Sequence, residues 1–173
     1  MPVPLVGGRL FAWRLDEAKH KATWNSGEGA RIHGGRWNSA GHAVVYLSAD
    51  PATTILELAV HKGFEALDTV PHVLTAVRIG ELASVHVVDA AKVPNPNWLR
   101  PGTPSAGQQR FGDALVRQHA FVAIPSAVST HSWNVIFDPA VAAGRYVRHL
   151  QERFALDTRL NAPAPKPQRA ARR

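Results

Sequence analysis

The sequence contains no cysteine. That absence excludes a disulfide framework, a thiolate metal site and a cysteine nucleophile, and it fits the reducing cytoplasm. No apolar run approaches the roughly 18 residues of a membrane span, and the stretch from Met1 to Arg9 is too short for a secretory signal. A cytoplasmic protein with no membrane partner is the expectation. None of the nine histidines falls in a His-x-x-x-His or His-Glu-x-x-His pair, so no metal site is expected. The residues around Ser126 lack the flanking glycines of a serine-hydrolase elbow. No glycine-rich phosphate loop or dinucleotide fingerprint occurs, so a nucleotide would not bind as in a Rossmann fold.

What is present suits one folded domain. Hydrophobic residues make up 45% of the 173 and charged residues 19%, an ordinary globular balance. The net charge of +7 is unevenly placed: up to residue 144 there are 12 Lys+Arg against 11 Asp+Glu, and from residue 145 onward 8 against 2. Residues 1–160 therefore read as the domain, and residues 161–173, with Pro163, Pro165, Pro167, Arg169, Arg172 and Arg173, as a basic flexible tail. A nucleic-acid-binding module is the rival of another class. The nearly neutral body ranks it low, because phosphate binding needs cations gathered on a surface.

Periodicity predicts an α+β domain with more strands than helices. Residues 8–15 alternate as a strand, with Leu10, Ala12 and Arg14 on one face and Phe11, Trp13 and Leu15 on the other. Residues 25–42 read as an irregular loop holding Arg36, Trp37 and Asn38. A strand is predicted over 43–47. A helix over 51–62 follows, started by Asp50 as N-cap with Pro51 at the first position; Ile55, Leu58, Ala59 and Lys62 form its packed stripe, with Glu57 and His61 together beside it. Further strands are expected at 72–78, 84–88, 121–124 and 133–137, and a helix at 105–118 buried through Phe111, Leu115 and Val116. Residues 146–156 fit either a helix or a strand.

One ordered series is more specific: Gly34-Gly35-Arg36-Trp37-Asn38, Val45-Tyr46-Leu47, Ile55-Leu56-Glu57, then Ile124 to Val128 around Ser126, and Trp133-Asn134. In order and approximate spacing, from about residue 10 to 160, it resembles the RES domain, a family named for its Arg, Glu and Ser. The resemblance implies a fold similar to diphtheria-toxin-like ADP-ribosyltransferases, with a mixed, strongly bent sheet, and it favours the strand reading of 146–156. It also implies a toxin of a toxin–antitoxin pair that acts on NAD+ as substrate and needs no prosthetic cofactor. Arg36, Tyr46 and Glu57 then match the catalytic signature, Ser126 the family serine, and Arg14 an arginine often present near the N-terminus. The implied partner resembles an Xre-type helix-turn-helix antitoxin that covers the active-site entrance, through which alone nucleic acid would be contacted. A homo-oligomer stays open. Family members commonly follow the late Asn with Asn-Pro and a nearby His, whereas this chain has Asp138-Pro139-Ala140-Val141.

These residue types suit cleavage of the nicotinamide–ribose bond. Positive charge builds on the ribose as nicotinamide leaves, and a carboxylate such as Glu57 lowers that barrier. Arg36 offers paired donors to the diphosphate or a clamp on the ribose, and Arg14 shares that charge or snorkels from its strand. Tyr46 offers a flat face to the nicotinamide ring. Asn38, Ser126 and Asn134 complete the expected substrate-binding set, with ribose or carboxamide as hydrogen-bond targets for Ser126 and Asn134. The acceptor, whether water, phosphate or a protein side chain, is not visible in the sequence. Transfer to a protein is thus the alternative within the same site.

Overall fold

Side-chain alternation along the strands sorts the apolar residues to two sides of one sheet. The computed structural model describes residues 3–161 apart from 101 and 103. The basic stretch expected as a tail lies, from residue 162 on, outside the described residues. Among those described, the strands are β1 (Leu10–Glu17), β2 (Val45–Ser48), β3 (His72–Ile79), β4 (Val85–Val87), β5 (Phe121–Pro125), β6 (Trp133–Phe137) and β7 (Tyr146–Phe154). The helices are α1 (Glu28–His33), α2 (Pro51–Lys62), α3 (Phe64–Thr69) and α4 (Ala106–Gln118). The α+β expectation holds, and Tyr146–Phe154 is extended.

The sheet runs β4-β5-β6-β2-β1-β3-β7. Only β4 and β5 are parallel; the other neighbours are antiparallel. Its pairing is uneven. β1 pairs with β3 along its whole length, from Leu10↔Ile79 to Glu17↔His72, but meets β2 only at Trp13↔Ser48. A seam therefore divides the sheet into β4-β5-β6-β2 and β1-β3-β7. One core nevertheless spans both parts, because Leu10, Ala12 and Val77 from one half pack with Val45, Leu47 and Phe137 from the other. Burying an aliphatic side chain of this size stabilises by about 1.5–3 kcal/mol, so the seam is closed beneath and open only where the backbones part.

Helix α2 is placed across the seam's edge. Asp50 caps it as predicted, accepting from the Thr53 amide at 2.8 Å. Ile55 and Leu58 pack onto Trp13 and Leu15 of β1 together with Leu67 and Leu74. Ile55, Leu58 and Ala59 of the predicted stripe are half-buried, but Lys62 is exposed and paired with Glu17, and the most enclosed residues are Thr53 and Thr54 in the first turn. Thr54 Oγ1 donates to the Trp13 carbonyl at 3.1 Å and draws that first turn against β1.

Two further differences have local causes. Residues 25–42 are not wholly irregular, since α1 occupies Glu28–His33 and is held in part by a bidentate Arg31–Glu28 pair. Helix α3 follows directly after Gly63 and had no separate signal, being six residues long. In α4 the fully enclosed residues are Gln108, Gly112, Asp113 and Val116, with Phe111 and Leu115 packed only in part. Gly112 is required there: a Cβ would stand 2.0 Å from the Trp37 carbonyl oxygen. A helical glycine costs about 1 kcal/mol, which this close backbone approach explains.

Candidate active site

The site begins with the pleat of β2 and β6. Val45, Leu47, Val135 and Phe137 face the core beneath the sheet, so Tyr46, Ser48, Asn134 and Ile136 must face the opposite side. Register places Ser48 directly opposite Asn134 and Tyr46 opposite Ile136. α2 then brings Glu57 over the same face.

Glu57 is held by one of its two oxygens. Oε1 accepts from Ser126 Oγ at 2.9 Å and from Asn134 Nδ2 at 2.5 Å. Oε2 receives no hydrogen bond among the described residues. Ser126 is fully buried and is itself fixed, its Oγ accepting from the amides of Val128 and Ser129 at 3.2 and 3.1 Å. Asp50 ties the start of α2 to the same 126–132 loop by accepting from Ser132 Oγ at 2.6 Å. Burial alone would raise the Asp50 pKa, but the hydrogen bonds from Ser132, Thr53 and Ala52 outweigh it and hold the carboxyl below its ordinary value.

Tyr46 organises the second half of the site. Its hydroxyl donates to Asn38 Oδ1 at 2.7 Å and accepts from the Trp37 amide at 3.1 Å. Asn38 is fully buried, and its Nδ2 donates to the carbonyls of Ala30, Ser39 and His42. The Asn38 amide has no donor left over. Burial drives the Tyr46 pKa upward, and nearby charges act on it in both directions, Arg36 lowering it and Asp113 and Glu57 raising it. The Arg36 guanidinium and the Glu57 carboxylate predicted from sequence thus each lie within electrostatic reach of the Tyr46 phenol, although the three come from a loop, a helix and a strand.

The two arginines are engaged differently. Arg36 Nη1 donates to the carbonyl of Trp98 at 2.7 Å and, more weakly, of Arg100 at 3.4 Å, and no carboxylate pairs with it among the described residues. Arg14 reaches across the seam, its Nη1 donating to the Tyr46 carbonyl at 2.9 Å, while Nε and Nη2 grip Asp16 at 2.8 and 2.7 Å. Trp37 and Trp133, expected as core or pocket walls, are both buried. Trp98, Leu99, Pro125, His131 and Trp133 help to wall an open cavity of about 420 Å³, which Arg36, Tyr46 and Glu57 do not line. Sequence reasoning missed Ser48, the Trp98 carbonyl and Asp113; of these only Ser48 carried a signal, standing two residues after Tyr46 and hence on its face.

The RES domain family model matches residues 11–157. The chain belongs to the RES-domain family. A relative named Toxin Res, from Photorhabdus laumondii, is 29% identical over 155 residues, covering 87% of this chain and 97% of that protein. The Prs ADP-ribosylating toxin of a Sphingobium strain is 30% identical over 136 residues, covering 74% and 81%. Among solved structures, the M. tuberculosis MbcT–MbcA toxin–antitoxin complex contains a chain that superposes with a TM-score of 0.69 at 19% identity, over 85% of each chain. That likeness gives this RES domain its fold relationship. No described helix is long and apolar enough to cross a membrane.

Proposed function

We propose that this RES-domain protein is the cytoplasmic toxin of a toxin–antitoxin pair and that it destroys NAD+ by breaking the nicotinamide–ribose bond. The observation that carries this reading is the half-engaged carboxylate of Glu57. Ser126 and Asn134 fix Oε1, which leaves Oε2 to face a ribose carbon as it becomes cationic. The bonding electrons leave with nicotinamide, which departs neutral. A water or phosphate oxygen then bonds to the same ribose carbon, and a water acceptor gives up its proton to solvent.

The remaining residues divide into contacts and supports. Arg36, a cation that pairs with no carboxylate among the described residues, faces the diphosphate. Tyr46 presents its ring to nicotinamide, and its raised pKa keeps the hydroxyl neutral, so it orients rather than removes a proton. Asn38 supports Tyr46, and Ser126 and Asn134 support Glu57. Arg14, already neutralised by Asp16, supports the β2 backbone at Tyr46.

Purified protein should consume NAD+ and release nicotinamide, and expression should arrest growth; Glu57→Gln should abolish both. Mass analysis of products with and without phosphate separates phosphorolysis from hydrolysis. Full toxicity with Glu57→Gln would refute the assignment. The name of the Sphingobium relative favours a second reading, transfer of ADP-ribose to a protein, which a mass increment on a target with little free ADP-ribose would support. The complex containing the M. tuberculosis chain supports an antitoxin partner, for which an Xre-type protein covering the site is our proposal.

A further inference from the structure

We infer that Ser48 is a positioning residue that anchors the Asn134 amide and thereby holds the Glu57 carboxylate by one oxygen, with the other presented to the substrate. The inference rests on Glu57 being the catalytic carboxylate. An ionised carboxylate only accepts hydrogen bonds, so Asn134 must turn its NH2 toward Glu57 and its carbonyl away. The carbonyl then needs a donor in a buried place. Ser48 Oγ supplies it, donating to Asn134 Oδ1 at 3.0 Å, with Ser48 only 3% exposed and Asn134 8%.

Ser48 is also held on both sides by neighbouring strands. On one side it pairs with Trp13, the single register pair that joins β2 to β1, and on the other with Asn134 itself. Its backbone is thus held between β1 of one half-sheet and β6 of the other, while its hydroxyl bonds Asn134. The chain of orientation runs from Ser48 to Asn134 Oδ1, from Asn134 Nδ2 to Glu57 Oε1, and leaves Oε2 free. Removing the hydroxyl leaves the amide carbonyl buried without a donor, so the Asn134 side chain shifts and its hold on the Glu57 carboxylate loosens.

The test uses the full chain, with the Asn134 side-chain NH2 resonances assigned by their loss in Asn134→Asp. In the unmutated protein these protons should show nuclear Overhauser effects to the Glu57 methylenes. In Ser48→Ala the resonances should move or broaden, with kcat for NAD+ cleavage falling about ten-fold and KM within about two-fold. Ser48→Thr keeps the hydroxyl and should restore both. Unchanged resonances and kcat in Ser48→Ala, or a loss that Ser48→Thr does not repair, would overturn the role. If Ser48→Ala does not fold, or if the unmutated protein leaves NAD+ intact, the Overhauser pattern still decides: contacts from the NH2 to the Ser48 methylene instead of Glu57 would overturn the orientation. Inactivity of the unmutated protein counts against the proposed reaction alone.

Discussion

Arg14 Nη1 donates to the carbonyl oxygen of Tyr46 at 2.9 Å, across the seam where β1 and β2 share a single register pair. A side chain thus makes a bond that a continuous ladder would assign to backbone. Arg14→Ala should destabilise the protein by about 1–3 kcal/mol, because the Tyr46 carbonyl and the Asp16 carboxylate both lose a charged donor. Arg14→Lys should recover less than half of this, since one ammonium cannot serve three geometrically fixed acceptors. Urea denaturation of the three proteins checks both statements.

Tyr46 and Asn38 form a closed pair. Tyr46→Phe leaves Asn38 Oδ1 and the Trp37 amide without a partner in enclosed surroundings, and a loss of about 1–3 kcal/mol is expected. Asn38→Ala should cost a similar amount, because the Tyr46 hydroxyl loses its acceptor and the His42 carbonyl its donor, while the Ala30 and Ser39 carbonyls keep the backbone amides of Gly34 and His42. The double variant should lose less than the sum, by about 1 kcal/mol. Strict additivity in a double-mutant cycle would show that the pair is not coupled.

Gly112→Ala inserts a methyl where the Trp37 carbonyl stands. The helix must move away from the Arg36-Trp37 segment or the segment must move with it, at a cost of at least about 2 kcal/mol. NAD+ cleavage should fall as well, because Arg36 directly precedes the displaced residue. An alanine variant as stable and active as the parent would mean that α4 and Trp37 do not approach this closely.

The end of β1 gives a pH dependence. Hydrogen bonds from Lys19 and Lys62 hold the Glu17 carboxyl near a pKa of about 2, below its ordinary 4.5. A depressed carboxyl pKa stabilises above the unfolded value and loses that contribution as pH falls through the folded one. The Glu17 contribution should therefore be complete above about pH 4.5, decline toward about pH 2, and shrink in high salt because the group is partly accessible. Glu17→Gln should remove this share of the acid sensitivity in urea midpoints followed across that interval.

Much of the scaffold was legible because it is local. Asp50 and Pro51 announce the start of α2, and alternation around Val45 and Val135 announces strands whose two faces differ in polarity. Helix α3 and the short α1 were not legible, since six residues provide less than two turns of periodicity. The enclosed first turn of α2 was not legible, because Thr54 is drawn inward by a carbonyl of β1, a partner 41 positions away.

The sequence by itself determined the chemistry available: an arginine, a tyrosine and a glutamate in a spaced order, with serine and asparagine to hold them, and no thiol. Tertiary structure alone decided which of these are engaged and which are free. Asn38 is saturated, Arg14 is paired, and Glu57 keeps one oxygen unbound, because hydrogen-bond partners from distant strands and loops consume some donors and acceptors and leave others. Side-chain identity is written along the chain, whereas occupancy of each polar atom depends on what folding brings beside it.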